Sequence, residues 1–173
     1  MKLFIPVWIL STLFFGMAGC TDQKNRNEKS MVSENEQNVK PDTLVFYDSH
    51  EPEKQDLPFS DVVQVGNLYF LSGQIGMDHG TRKLVSGGIT AETVQTLENI
   101  KAVLEHHNLR LTQVVKVMVI LDDIDDFSAF NEVYITYFPQ KPARTTFAAE
   151  ALAKGAKIEI EVVAAANTSS ENN

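Results

Sequence analysis

The sequence predicts a single α/β domain with the element order ββαβαββ over residues 57–166. Three observations carry this. Val62, Val63 and Val65 lead into Gly66-Asn67, and Leu68-Tyr69-Phe70-Leu71 follows, so residues 60–75 read as a hairpin. Two segments place large apolar side chains at helical spacing. Two others, 114–121 and 158–164, alternate with the two-residue period of strands.

Gly76 to Ile89 contains four glycines and reads as a loop. Thr90 offers an N-cap to the first helix, and Glu92 sits in its first turn, where it favours the helix dipole. Val94, Leu97, Ile100 and Leu104 form the stripe, and His106-His107-Asn108 closes the helix. In the next strand Val115, Val117, Val119 and Leu121 are expected on one face and Lys116, Met118 and Ile120 on the other. Both faces are apolar enough for a central strand. Asp125 or Asp126 is expected to cap the second helix. Its stripe is Phe127, Phe130, Val133, Tyr134, Tyr137 and Phe138, and Pro139 and Pro142 end it. Residues 144–147 read as a short extended segment. In the last strand Ile158, Ile160, Val162 and Ala164 face the core, and Glu159 and Glu161 the other way.

Ahead of this domain stands a leader. Lys2 precedes an apolar run from Leu3 to Met17, and Met17-Ala18-Gly19-Cys20 ends it. A secretory signal has this shape, and the terminal cysteine resembles a bacterial lipobox. Residues 1–19 are therefore expected to be a lipoprotein signal peptide, and Cys20 the lipidated residue of an exported, membrane-anchored protein. A plain transmembrane anchor is the other reading, but it needs about 20 apolar residues and the run is shorter. Residues 20–56 are read as the lipidated cysteine and a flexible tether. Thr21 to Lys40 is too polar to bury a core. Within the tether, Leu44-Val45-Phe46-Tyr47 is an apolar island that either packs on the domain or forms a short strand. Residues 167–173 read as a polar tail.

Composition limits the chemistry. The chain has 173 residues and a formal charge of −8, and shows no run of Lys and Arg. A phosphate backbone needs clustered cations, so nucleic acid is not an expected partner. Cys20 is the only cysteine, so the folded part has no thiolate nucleophile, disulfide or thiolate metal site. His106 and His107 point about 100° apart on a helix and make a poor chelate. His79 with Asp78 is too small a ligand set. The acidic cluster Asp122, Asp123, Asp125 and Asp126 lacks the glycine and terminal glutamate of a calcium loop. No metal site is expected from these residues.

Arg144 stands out among the remaining side chains. Pro142-Ala143 gives it a fixed launch point at the start of a strand, and its planar fork suits a carboxylate. That carboxylate is either Glu159 or a ligand acid. Ser72-Gly73-Gln74-Ile75, then Asn131, then Pro142-Ala143-Arg144-Thr145-Thr146, then Lys157-Ile158-Glu159-Ile160-Glu161 resemble, in order and spacing, the RidA/YjgF family of reactive intermediate deaminases. The resemblance covers about 57–166. It implies a chorismate-mutase-like fold with a mixed sheet, two helices on one face and a trimeric, barrel-like assembly. Ligand clefts then lie between subunits of a homotrimer. It further implies hydrolysis of small 2-imino or enamine acids to 2-keto acids and ammonia, with no metal and no organic cofactor.

On this resemblance Arg144 holds the substrate carboxylate and Glu159 positions or activates water. Phe59, Ser72, Gly73, Asn131 and Thr146 line the cleft. Phe59 stands where many active members have tyrosine, and Thr146 where cysteine is common. A binding module that captures small carboxylates without turnover is the alternative. A nuclease, the activity some members are named for, is disfavoured by the acidic balance.

Overall fold

In the computed structural model, residues 43–167 are described apart from 52, 53 and 55. The leader, Cys20, most of the tether and residues 168–173 lie outside them. Among the described residues no helix is long and apolar enough to cross a membrane.

Eight strands and two helices follow in order: β1 (Leu44–Tyr47), β2 (Val62–Val65), β3 (Leu68–Ile75), β4 (Met77–Asp78), β5 (Lys83–Leu84), α1 (Gly88–His106), β6 (Val114–Leu121), α2 (Phe127–Tyr137), β7 (Ala143–Ala148) and β8 (Ile158–Ala165). Six of the strands form one sheet in the order β1-β2-β3-β8-β6-β7. Only β6 and β7 run parallel, joined across α2. Antiparallel neighbours can be linked tightly, whereas this parallel pair needs the helical crossover. The predicted hairpin is β2–β3, with Gly66 at φ 59° in its turn.

The apolar island is strand β1, paired with β2 from Leu44↔Val65 to Tyr47↔Val62. The sheet therefore begins inside the segment read as tether, ahead of residue 57. Within the expected loop 76–89, β4 and β5 form a two-strand ribbon. Helix α1 starts at Gly88, two residues before Thr90, and no side chain caps it. Gly87 and Gly88 adopt φ 121° and 67°, a left-handed turn that admits the chain to the helix directly. At the far end Asn108 takes φ 58° and the Leu109 N–H donates to Leu104 O at 2.8 Å. Helix α2 follows Asp126, whose side chain makes no cap bond. Asp123 instead accepts from the Asp125 N–H at 3.0 Å, capping a 3-10 turn at 124–126.

The helices cover one face of the sheet. Leu97, Ile100, Val103 and Leu104 of α1 and Phe130, Tyr134 and Phe138 of α2 share a buried core with Val117, Val119, Leu121, Ile158, Ile160 and Val162. In β6 the expected alternation holds from Val117 onward. Val114 rather than Val115 is buried, because the β6–β8 register shifts between Val114 and Lys116. The two helices are tied where Tyr137 Oη donates to Glu98 Oε1 at 2.8 Å. Burial first, and Glu98 second, push this phenol up to about 12.

Two polar residues on the inner face of α1 fix the strand ends. The Asn99 amide donates to Ile75 O at 3.0 Å and to Met77 O at 2.9 Å. Glu92 Oε2 accepts from the Lys157 N–H at 2.7 Å. Both side chains are buried. Gly76 lets them approach, since a Cβ there would strike Glu92. Replacing Asn99 with Ala leaves the Ile75 and Met77 carbonyls without this donor, the second of them buried. We expect Asn99→Ala to destabilise the domain by about 1–3 kcal/mol in urea unfolding.

Candidate functional site

Arg144 lies on β7, an edge strand. In the parallel register it sits beside Val117, and Thr146 beside Val119, so both project to the helix-covered face. The guanidinium meets α2 there. Its Nη1 donates to Asn131 Oδ1 at 2.8 Å. Its Cζ lies 4.5 Å from the Tyr134 ring centroid, 5.2 Å from Phe130 and 5.6 Å from Phe127. Aromatic faces attract a cation and stack well on a flat guanidinium. Among the described residues no carboxylate forms an ion pair with Arg144. Of the two acids considered from sequence, Glu159 is thus not the partner of Arg144.

Two hydroxyls beside it have open valences. Tyr134 Oη and Thr146 Oγ1 are buried and lack hydrogen-bond partners. Burial raises the Tyr134 phenol and Arg144 opposes the rise. Arg144 also lines an open groove of about 430 Å³ with Asn131, Tyr134, Ile135, Phe138, Pro139, Lys141 and Pro142.

Glu159 belongs to a second group. It pairs with Ile75 on one side and Ile120 on the other, on the face away from the helices. Gly73 lies against it: a Cβ there would collide with Glu159 Oε1. The β3–β8 register shifts between Leu71 and Gln74, so Ser72 and Gly73 form an irregular step that brings backbone close to the carboxylate. Ser72 Oγ donates to Ser60 O at 2.7 Å, which ties the segment carrying Phe59 to this step. The Phe59 ring is 54% exposed and free to meet a ligand. Desolvation, and then Glu161, push the Glu159 carboxyl above the usual range.

The sequence-predicted residues therefore fall into two half-sites. Arg144, Asn131 and Thr146 lie on the helix-covered face at the sheet edge. Glu159, Gly73 and Ser72 lie toward the other face. Two strand spacings and three residues separate Arg144 from Glu159, about 10 Å across the sheet and about 10 Å along it. One chain does not bring them together.

Sequence reasoning missed the cradle of Arg144 and the two clamps on α1. Phe127, Phe130 and Tyr134 belong to the helical stripe expected of α2, and that spacing alone does not distinguish a cation cradle from core packing. Glu92 and Asn99 were legible in principle. With Thr96 and Val103 they recur at spacings of four, three and four, which places polar groups on the buried stripe. His106 and His107 are edge-to-face at 5.2 Å, and His50 stacks on His106 at 4.6 Å. Among the described residues no group of three or more His, Cys, Asp or Glu could hold a metal ion.

This mixed sheet, helix-covered on one face and with paired half-sites, defines a class. Residues 50–166 match the family model described as Endoribonuclease L-PSP. The chain belongs to this family, the RidA/YjgF family. The human 2-iminobutanoate/2-iminopropanoate deaminase is 45% identical over 108 residues, 62% of this chain and 79% of that protein. Among solved structures, YEO7 of yeast is 41% identical with a TM-score of 0.67, covering 72% of this chain and 100% of its own. Escherichia coli TdcF, solved with bound serine, is 30% identical with a TM-score of 0.61, covering 64% of this chain and 90% of its own.

Because its native carboxyl holds a proton more readily than the unfolded one, Glu159 lowers stability as pH rises through the interval above 4.5. The neutral variant Glu159→Gln removes that loss. It is expected to melt at a higher temperature than the parent at pH 7, with the difference vanishing below pH 4.

Proposed function

We propose that this protein hydrolyses small 2-imino and enamine acids to 2-keto acids and ammonia. The observation that carries the reading is Arg144: a guanidinium held by Asn131 and three rings, without an acid partner, at the wall of an open groove. Its remaining N–H groups suit a substrate carboxylate. The human relative, named a 2-iminobutanoate/2-iminopropanoate deaminase, agrees with this chemistry.

The reaction needs little from the protein. An imine carbon is already electrophilic. Arg144 holds the carboxylate and so fixes the position of C2. Glu159, whose carboxyl is pushed above the usual carboxylate range by burial and so makes a better proton acceptor, takes a proton from water as its oxygen bonds to C2. As the C=N double bond opens, that proton passes to nitrogen and leaves a carbinolamine. Glu159 then moves the hydroxyl proton to nitrogen, the C–N bond breaks, and ammonia leaves as the C=O bond forms. Orientation of this kind lowers a barrier by several kcal/mol.

Since the half-sites lie on opposite faces of one sheet, a cleft holding both needs a second copy. The uncovered face supports this. Phe46, Val63, Phe70 and Val163 form a row across four strands there, with Phe46 65% exposed and Phe70 42%. An apolar face of this breadth is suited to a protein partner. We infer a homotrimer that joins the Arg144 side of one copy to the Glu159 side of the next. The leader and Cys20 support an exported protein held to a membrane by lipid.

A second reading, capture of a small carboxylate without turnover, draws on Phe59, which supplies a ring wall and no hydroxyl. The two readings separate in one assay. With 2-aminoacrylate generated in situ, the wild type is expected to accelerate pyruvate release and Arg144→Ala to lose at least about 100-fold of that acceleration. Binding of a 2-keto acid with no acceleration over buffer supports the binding module instead. A monomer in light scattering removes the shared cleft. Cys20→Ala is expected to abolish incorporation of labelled fatty acid, and unchanged labelling refutes the anchor.

A further inference from the structure

The groove beside Arg144 holds a second cation. Its described lining includes Arg144 and Lys141 and no carboxylate. This runs against composition, for the chain carries 23 acidic side chains to 15 basic ones. Among the described residues neither cation has a salt-bridge partner.

The segment bearing Lys141 is firmly placed. Lys141 takes φ 54° and its N–H donates to Phe138 O at 3.1 Å. Pro139 and Pro142 restrict the backbone on either side. The Gln140 amide donates to Leu111 O at 2.7 Å, fastening the turn to the chain ahead of β6. The left-handed turn at a non-glycine residue persists because these bonds and rings hold it. Between the two cations the wall is apolar: Phe138, Pro139 and Pro142. Three residues separate Lys141 from Arg144, so their Cα atoms are at most about 10 Å apart. Two long side chains on that base can converge on the ends of one short diacid.

We propose that this groove makes the protein selective for 2-imino acids with a second carboxylate on the side chain. This rests on the deaminase reading of the same site. Arg144 takes the carboxylate next to C2, where a planar fork fixes orientation. Lys141 takes the distal one, where a point charge on a flexible stem suffices. The chemistry at C2 is unchanged: water adds, ammonia leaves, and a 2-oxo diacid is released. Reactions that oxidise acidic amino acids, or eliminate from their derivatives, supply such imines.

The test compares 2-iminosuccinate, formed in situ by oxidising aspartate, with 2-iminopropanoate formed from alanine. The readout is the ratio of their kcat/KM values. We expect wild type to favour the diacid and Lys141→Ala to lower the ratio about three- to fivefold, as fits a partly exposed ion pair. Lys141→Glu should lower it further, and added salt should narrow the wild-type preference. A ratio that Lys141→Glu leaves unmoved, with 2-iminopropanoate still turned over, overturns the selectivity and spares the deaminase reading. Calorimetry with 2-oxosuccinate and pyruvate reads the same selectivity without turnover. Tighter binding of 2-oxosuccinate, lost in Lys141→Glu, supports the proposal even if neither imine is hydrolysed. Equal binding of the two keto acids overturns it.

Discussion

The pairing of β6 with β8 governs this molecule. It places Val117 beside Val162, Val119 beside Ile160 and Leu121 beside Ile158, all six facing the helices and almost fully buried. The two-residue period of a strand then sends Glu159 and Glu161 the other way, beside Ile120 and Met118. A slip of one residue would bury two carboxylates under α1 and α2 and turn the isoleucines outward. Such burial without partners costs several kcal/mol per charge. Hydrophobic burial on one face therefore fixes where the acid stands on the other.

Arg144 answers to a different constraint. It shares the buried face, where an unpaired cation would normally be costly. Its place at the edge strand reduces the cost, because the guanidinium keeps one side toward the groove. The rings of Phe127, Phe130 and Tyr134 and the amide oxygen of Asn131 replace part of the lost hydration. An aspartate in place of Asn131 would bind the cation more tightly and neutralise it. A neutral acceptor orients the group and leaves its charge for an incoming anion.

Where order along the chain reflects burial, the sequence was readable. The alternation in β8, the hairpin at Gly66-Asn67 and the aromatic stripe of α2 each follow from one local period and one apolar face. The departures occur where a contact distant in sequence decides. Thr90 has good capping chemistry, yet two glycines begin the helix earlier. Val115 continues the β-branched pattern, yet a register shift turns it outward. Glu92 has the charge for a dipole effect at the helix start, yet its partner is the backbone N–H of Lys157, far away in sequence. The site residues were named from their motif. Their division between two faces follows only from the register of β7 and β8.

The cradle of Arg144 is written within a single stretch of chain, from Phe127 to Arg144, and involves one helix and the strand after it. The surroundings of Glu159 draw instead on β3, β6 and β8, together with the α1 clamps at the end of β3 and the start of β8. Substitutions in the first stretch can accordingly retune which anion is captured while the water-handling half stays intact. Loss of the acid, conversely, would leave capture undisturbed. A fold organised this way can drift between enzyme and receptor one half at a time, and descendants of either kind would share the same guanidinium.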